Sequence, residues 1–196
     1  MGQITGRNQN CNIILASQSP RRRELLERMG LCFDVLPVDL DETLDPGIPV
    51  RDAVVKLARG KALAAAAKYN SCAIIAADTL VECGGRILGK PADENEAFDM
   101  IKLLSGNWHN VMTGVCVAHG RDIMDACETT RVHFTKMTDD EIRWYLSTGE
   151  SMDKAGAYGI QGYAGAFIDS IQGDYFNVMG LPMAALLKML KSCGVV

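Results

Sequence analysis

The sequence predicts an α/β fold built on a mixed β-sheet. Short apolar runs rich in β-branched residues alternate along the chain with longer amphipathic segments rich in alanine and leucine. No low-complexity linker or internal repeat interrupts this alternation. The chain has 196 residues, of which 48% are hydrophobic and 22% charged, so it can form one compact domain or two lobes that share a cleft.

The first strand and helix lie in and around the stretch LASQSPRRRELL. Residues 12–16 are apolar and predict a buried strand. Ser19 is a suitable N-cap, Pro20 is a suitable first helical residue, and Gly30 ends the predicted helix.

Three consecutive arginines begin this helix. Positive side chains oppose the helix dipole in the first turn, whereas the free N–H groups of that turn attract anions. This unfavourable placement indicates a function, and we expect a phosphate site at Arg21 and Arg22. A solvated arginine face is the alternative, and Arg23 is the member that we expect at the surface.

The next segments predict a strand over residues 33–38, an acidic loop over residues 39–47 and an alanine-rich helix over residues 50–69. Gly60 should weaken the middle of this helix. The residues on or near its apolar face are Val54, Leu57, Leu63 and Ala67.

The most core-like strand is CAIIAADTLVEC. It is predicted to end at Asp78 and Thr79, and a hairpin turn through Gly84 and Gly85 follows.

Two capping boxes predict helices in the second half of the chain, Asp93 with Glu96 and Thr138 with Glu141. Between these helices, two strand-like segments pair across a polar turn.

The last third of the chain begins with a glycine-rich segment, residues 153–167, which predicts a loop whose backbone approaches something closely. Residues 167–171 predict a strand, and residues 180–194 predict a closing helix with Pro182 near its start.

Bulk composition argues against several classes of function. A net charge of −4 and a pI near 5.4 provide no basic field for nucleic acid, and no segment is long and apolar enough to span a bilayer. We therefore expect no nucleic-acid or membrane partner. Seven cysteines without a CxxC pair predict reduced, buried thiols and a cytoplasmic location.

Two familiar nucleotide-binding motifs fail. The segment GGRILGK has the spacing of a P-loop, but Pro91 replaces the hydroxyl residue that holds magnesium, and its glycines lie on a hairpin. The GxGxxG pattern is not present where the first strand meets the first helix.

Charged residues at the ends of elements carry the remaining chemistry. A carboxylate such as Asp78, at the end of an apolar strand, lies where α/β sheets bind ligands, and its burial requires a cation partner. It would bind metal, act as a base or cap the next turn. Glu42 is either a second carboxylate or solvated surface. Lys61 alone is weak evidence for a binding site because helical lysines are usually exposed. Lys90 is a stronger candidate, since Pro91 stiffens the chain there and would hold the ammonium group in place.

The three histidines show no spacing of a triad or zinc site, and we expect them to be structural. Carboxylates for a divalent ion, several fixed cations and no evident covalent nucleophile together indicate hydrolysis of a polyphosphate by water.

Five motifs occur in the order LASQSPRRRELL, AADT, GKP, MDKAGAYGIQG and GDYFNVMGLP. In this order they resemble the Maf family of nucleoside triphosphate pyrophosphatases. We expect a single Maf-like domain over residues 12–196, after an N-terminal tail of residues 1–11. The resemblance implies a long mixed sheet with two lobes around a central groove, as in inosine triphosphate pyrophosphatases, and a homodimer.

The resemblance also implies catalytic roles. Asp78 would be the proton acceptor or metal-bound carboxylate that activates water, and Glu42 would help it to hold a divalent ion, Mg²⁺ or Mn²⁺. Lys61 and Lys90 would grip the triphosphate. Water would attack the α-phosphorus and release a nucleoside monophosphate and pyrophosphate, which is the activity of a nucleoside triphosphate diphosphatase.

The substrate-binding residues follow from the same resemblance. Ser17 and Arg21 match phosphate-facing positions. Arg22, Thr79 and Gln161 match positions of the dTTP and UTP subgroup. A primary amide offers one donor and one acceptor to a pyrimidine imide edge, although Gln161 can also be a plain polar loop residue. Modified uridine nucleotides present a similar edge.

Two further classes of function remain open. A nucleotide-binding regulator of cell division or septum formation would use the same pocket without turnover. A nucleotide-dependent transferase would need a second-substrate motif, and we find none.

Overall fold

The computed structural model describes residues 12–41, 43–45 and 47–196. Over these residues, seven strands form one mixed sheet and six α-helices interleave with them, which confirms the α/β prediction. The strands are β1 (Ile13–Leu15), β2 (Asp34–Val35), β3 (Ala73–Cys83), β4 (Arg86–Leu88), β5 (Trp108–His119), β6 (Asp122–Phe134) and β7 (Ile168–Gln172). The helices are α1 (Pro20–Arg28), α2 (Val50–Ala66), α3 (Glu94–Leu104), α4 (Asp139–Ser147), α5 (Tyr175–Val178) and α6 (Met183–Ser192).

The sheet has the strand order β2-β1-β3-β5-β6-β7, with β4 attached to β3. Strand β1 pairs in parallel with β2 and β3. Strand β4 is antiparallel to β3, and β7 is antiparallel to β6. No helix within the described ranges is long and apolar enough to cross a membrane.

The chain divides into two compact units. The first contains the described residues up to Asp78, together with Thr113–Glu128 and Gly180–Val196. The second contains Thr79–Met112 and Thr129–Met179. Three long strands, β3, β5 and β6, contribute residues to both units.

In the first unit, helix α2 packs on the sheet through small side chains. A Cβ atom at Gly114 of β5 would lie 2.4 Å from the carbonyl oxygen of Val54, so only glycine permits this approach. Gly60 has a similar role, because a Cβ there would lie 2.8 Å from a methyl group of Leu40. The buried residues of this core are Ile14, Ala16, Leu36, Ala58, Ala62, Ala65, Cys72, Ile74, Ala76, Cys116 and Ala118.

The second unit has an aromatic centre. The ring of His109 lies 5.7 Å from that of Phe134 and 5.3 Å from that of Tyr158. Its Nε2 atom is 2.7 Å from the Tyr158 hydroxyl oxygen. Burial lowers the pKa of His109 to about 4, so the ring is neutral at pH 7.

The predicted helix caps form with one change. Ser19 caps α1 by accepting from the Arg22 backbone N–H, and Thr138 with Glu141 completes its capping box at α4. At α3, Asp93 accepts from the backbone N–H of Glu96, but the carboxylate of Glu96 reaches one residue further, to the N–H of Ala92.

Several predictions were wrong in detail. Strand β3 does not end at Asp78, because its backbone ladder continues into the hairpin as far as Cys83. Leu63 and Ala67 are exposed because they lie off the buried stripe of α2, which is formed by Ala53, Val54, Leu57, Ala58, Lys61, Ala62 and Ala65. Cys32 is disulfide-bonded, which corrects the expectation of reduced thiols at that position. Five other cysteines of the described chain are free and buried.

Helix α5 was not predicted. It has four residues, and Asp174 caps it by accepting from the backbone N–H of Phe176. A single turn of this length has no apolar periodicity for a sequence pattern to reveal.

Candidate active site

A buried ion pair joins two of the predicted catalytic residues. Nζ of Lys61 lies 2.5 Å from Oδ1 of Asp78, and the two residues are 7% and 8% exposed. Lys61 projects from the buried stripe of α2, and Asp78 is the sixth residue of β3. The pair satisfies the expectation that a desolvated Asp78 needs a cation, and its mid-strand position excludes a turn-capping role.

The ion pair leaves one carboxylate oxygen outside the contact. Lys61 engages Oδ1, whereas Oδ2 of Asp78 takes no part in that bond. A buried pair of this kind contributes little net stability, because desolvation offsets most of the attraction. The arrangement holds a carboxylate in one orientation, which is what proton abstraction or cation binding requires.

The start of α1 places a hydroxyl and a guanidinium together. Oγ of Ser17 accepts from the Ser19 backbone N–H at 3.2 Å and from an NH1 group of Arg22 at 3.2 Å. Nε of Arg22 donates to the carbonyl oxygen of Gly180 at 2.8 Å. Since Ser17 acts as an acceptor in both contacts, its own proton can be donated to an anion.

The other two arginines differ in environment. Arg21 is partly buried in the first turn of α1. Arg23 is exposed and pairs with Glu27 at 2.9 Å, as expected for the surface member of the three. The first turn of α1 therefore carries two partly buried arginines, whose guanidinium groups suit phosphate.

Thr79 and Lys90 belong to the second unit. Thr79 follows Asp78 on β3 and is partly buried. Lys90 is exposed in the segment between β4 and α3, next to the buried Pro91. The carbonyl oxygen of Gly89 accepts from the N–H of Gly156 at 3.0 Å, so this lysine segment is bonded to the glycine-rich loop.

The glycine-rich loop is irregular, as predicted. It contains two short 3-10 turns, Ala155–Ala157 and Tyr163–Phe167. Ala157 has a φ of 60°, an uncommon conformation for a residue with a side chain, and the hydroxyl of Tyr145 lies 3.1 Å from its carbonyl oxygen. The Tyr145 hydroxyl therefore anchors the loop to helix α4 of the second unit.

Gln161 lies on the exposed side of this loop. The N–H of Gly162 donates to the carbonyl oxygen of Gly159 at 3.1 Å, which closes a tight turn with Gln161 as its third residue.

The structure thus brings together Asp78 with Lys61, and Ser17 with Arg22. Thr79, Lys90 and Gln161 are placed in the second unit. Glu42, the predicted second carboxylate, lies outside the described residues.

The donor atoms suit a hard divalent cation. Among the described residues, no group of three His, Cys, Asp or Glu side chains could hold a metal ion. Magnesium, however, is often bound by one or two carboxylates together with substrate phosphates. The Oδ2 atom of Asp78 fits that mode of binding.

The sequence analysis does not identify two residues that shape this region. The carbonyl group of Gly180 positions Arg22, and no sequence pattern identifies such a backbone acceptor. Glu150 lies against the glycine-rich loop, and its backbone oxygen accepts from Nζ of Lys154 at 2.5 Å. The only signal for Glu150 was an acidic residue shortly before several closely spaced glycines.

Comparisons with known proteins match nearly the whole of the described chain. The family model described as Maf-like protein matches residues 12–193. A dTTP/UTP pyrophosphatase of Anaeromyxobacter dehalogenans is 48% identical over 186 residues, which cover 93% of this chain and 94% of the relative. One of Pyrococcus abyssi is 48% identical over 181 residues, with coverages of 91% and 95%. One of Halalkalibacterium halodurans is 49% identical over 182 residues, with coverages of 93% and 96%.

Proposed function

The chain belongs to the Maf family, and on that premise we propose that it is a nucleoside triphosphate pyrophosphatase acting on dTTP and UTP. Its products would be the nucleoside monophosphate and pyrophosphate. The names of the relatives from Anaeromyxobacter, Pyrococcus and Halalkalibacterium support this substrate class.

The observation that carries the proposal is the buried pair of Lys61 and Asp78. A protein that only binds triphosphate needs cations to neutralise it. A carboxylate held beside those cations weakens anion binding, so its presence favours activation of water.

In the proposed reaction, Asp78 accepts a proton from the attacking water while Lys61 fixes the orientation of its carboxylate. The new bond joins the water oxygen to the α-phosphorus. The bond between that phosphorus and the oxygen bridging to the β-phosphorus breaks, and this oxygen leaves with the pyrophosphate. A divalent cation bound by Asp78 and Glu42 would neutralise the charge that develops on the phosphoryl oxygens.

The remaining residues would bind substrate. We assign Ser17, Arg21 and Lys90 to the phosphates, because each offers a donor or a positive charge. Arg22, Thr79 and Gln161 are assigned to the choice of nucleotide. The Gln161 amide would pair its acceptor and donor with the imide edge of thymine or uracil.

Four further features are part of the proposal. The metal would be Mg²⁺ or Mn²⁺, the assembly a homodimer, and the location cytoplasmic. Residues 12–196 would form one Maf-like domain.

The test is a panel of nucleoside triphosphates incubated with Mg²⁺ or Mn²⁺, with pyrophosphate release as the readout. We expect dTTP and UTP to be cleaved fastest, and GTP and ATP far more slowly. Release of orthophosphate in place of pyrophosphate, or no turnover of any nucleotide, would rule out the proposed activity.

A further inference from the structure

The side chain of Glu150 is partly buried and contacts both the glycine-rich loop and helix α4. Its Oε2 atom accepts from the backbone N–H of Tyr163 at 2.8 Å, and its Oε1 atom lies 3.2 Å from the hydroxyl of Tyr145. Burial, with a further contribution from the Glu150 charge, raises the pKa of Tyr145 above its usual range. The phenol therefore stays protonated, and its proton can be shared between Glu150 and the backbone.

Two glycines leave room for this carboxylate. A Cβ atom at Gly162 would lie 1.9 Å from Oε2 of Glu150. A Cβ at Gly159 would lie 2.8 Å from Cε of Lys154 and 3.3 Å from Oε1 of Glu150. Gly162 has φ −107° and ψ −150°, a conformation open to any residue. Glycine is therefore required at position 162 by the carboxylate and not by the backbone.

The two contacted glycines are the ends of the turn that carries Gln161. The bonded N–H of Tyr163 follows directly after that turn. Glu150 thus fixes the backbone on both sides of Gln161 through a charge-assisted bond and close packing. The Gln161 side chain is exposed, so its direction depends on the backbone that carries it.

We propose that Glu150 is a positioning residue for Gln161 and sets the base preference of the enzyme. This rests on the proposed function, in which the Gln161 amide recognises the imide edge. An amide discriminates between bases only when its donor and acceptor are held opposite the matching acceptor and donor of the base. Loss of the carboxylate would loosen the turn and reduce discrimination, while the Lys61 and Asp78 pair would continue to support hydrolysis.

The experiment compares kcat/KM for dTTP with that for dCTP, whose edge has the donor and acceptor reversed. In Glu150→Ala, we expect the ratio to fall by about tenfold or more, the factor that corresponds to about 1.4 kcal/mol. The fall should come mainly from a higher KM for dTTP. Glu94→Ala, an exposed carboxylate in the first turn of α3, is the control and should leave the ratio unchanged.

A double-variant cycle tests the contact itself. Gly162→Ala alone should lower the ratio, because its methyl group displaces the carboxylate. In the Glu150→Ala background the same methyl meets no carboxylate and should add no further loss. An equal effect of Gly162→Ala in both backgrounds would overturn the proposal.

The remaining outcomes separate the two proposals. A wild-type preference for dTTP that persists in Glu150→Ala would overturn the positioning role alone. If the wild-type protein releases no pyrophosphate from any nucleotide, the proposed function fails and the positioning role fails with it. If Glu150→Ala does not fold, Glu150→Gln takes its place, because it keeps the shape of the side chain and one acceptor. We expect this variant to give a dTTP-to-dCTP ratio between those of the wild type and a full loss. A wild-type ratio in Glu150→Gln would then contradict the proposal.

Discussion

Replacing Asp78 by asparagine removes one negative charge and keeps the shape of the side chain. Lys61 would then face an amide oxygen in a site where the two side chains are 9% and 11% exposed. Removing one partner of a buried pair costs about 3–5 kcal/mol, and a retained hydrogen bond to a charged group recovers about 1.5–3 kcal/mol. We expect a net loss of about 2 kcal/mol, within the total stability of about 5–15 kcal/mol of a typical domain.

The catalytic loss should be much larger. An amide does not accept a proton from water, and a general base contributes roughly a hundredfold to ten-thousandfold in rate. We therefore expect pyrophosphate release to fall by at least about a hundredfold at a temperature where the variant is fully folded. Urea unfolding and turnover of dTTP are the two measurements.

Asp125→Asn is the matched control. Asp125 pairs with Arg59 at 2.9 Å, but that arginine is 50% exposed. Exposed pairs of this kind contribute about 0.2–1 kcal/mol, so this variant should be nearly as stable and as active as the wild type. Turnover by Asp78→Asn at the rate of the control would remove Asp78 from the mechanism.

Three other predictions concern the base, the pH and the packing of α2. Gln161→Glu should lose the preference for dTTP over other nucleotides, since a carboxylate cannot donate to the imide oxygen, and an unchanged ranking would contradict this role. His109 has its pKa lowered from 6.5 to about 4, so stability should fall by about 3 kcal/mol as the pH drops through that range, because the unfolded state takes up the proton first. His109→Gln should flatten this dependence, and an equally steep decline would contradict it. Gly114→Ala should lower the free energy of unfolding by about 1–3 kcal/mol or more, because the added methyl clashes with Val54. In the control Gly89→Ala no atom lies within 4 Å of the added Cβ, so stability should change by less than about 0.5 kcal/mol. Equal effects of the two variants would refute the steric explanation.

Much of the fold follows from local signals. The cap at Ser19, the capping box at Thr138 and the hairpin glycines were identified because each depends on residues close in sequence. Gly84 and Gly85 indeed have φ values of +57° and +79°, which the turn requires. Such features depend on neighbouring residues and not on tertiary contacts.

The errors arose where distant segments decide the outcome. Leu63 was expected on or near the apolar face of α2, but the contact of Gly114 with Val54 sets which stripe of the helix meets the sheet, and Leu63 lies off that stripe. Gly60 was expected to weaken the helix, and the sequence did not reveal that it also makes room for Leu40. Neither contact can be read from spacing along the chain.

The candidate site shows the same division. Asp78 was identified from the apolar strand around it, and the need for a cation followed from its burial. That Lys61 is this cation required knowledge of how α2 lies on β3, and Lys61 looked like an ordinary helical lysine. Glu150 was missed because its contacts are with backbone and glycines.

The most direct test of the mechanism is to hydrolyse dTTP in water enriched with ¹⁸O and locate the label by mass spectrometry. Activation of water by Asp78 for attack on the α-phosphorus predicts one ¹⁸O atom in the thymidine monophosphate and none in the pyrophosphate. Label in the pyrophosphate would mean attack on the β-phosphorus and would contradict the mechanism.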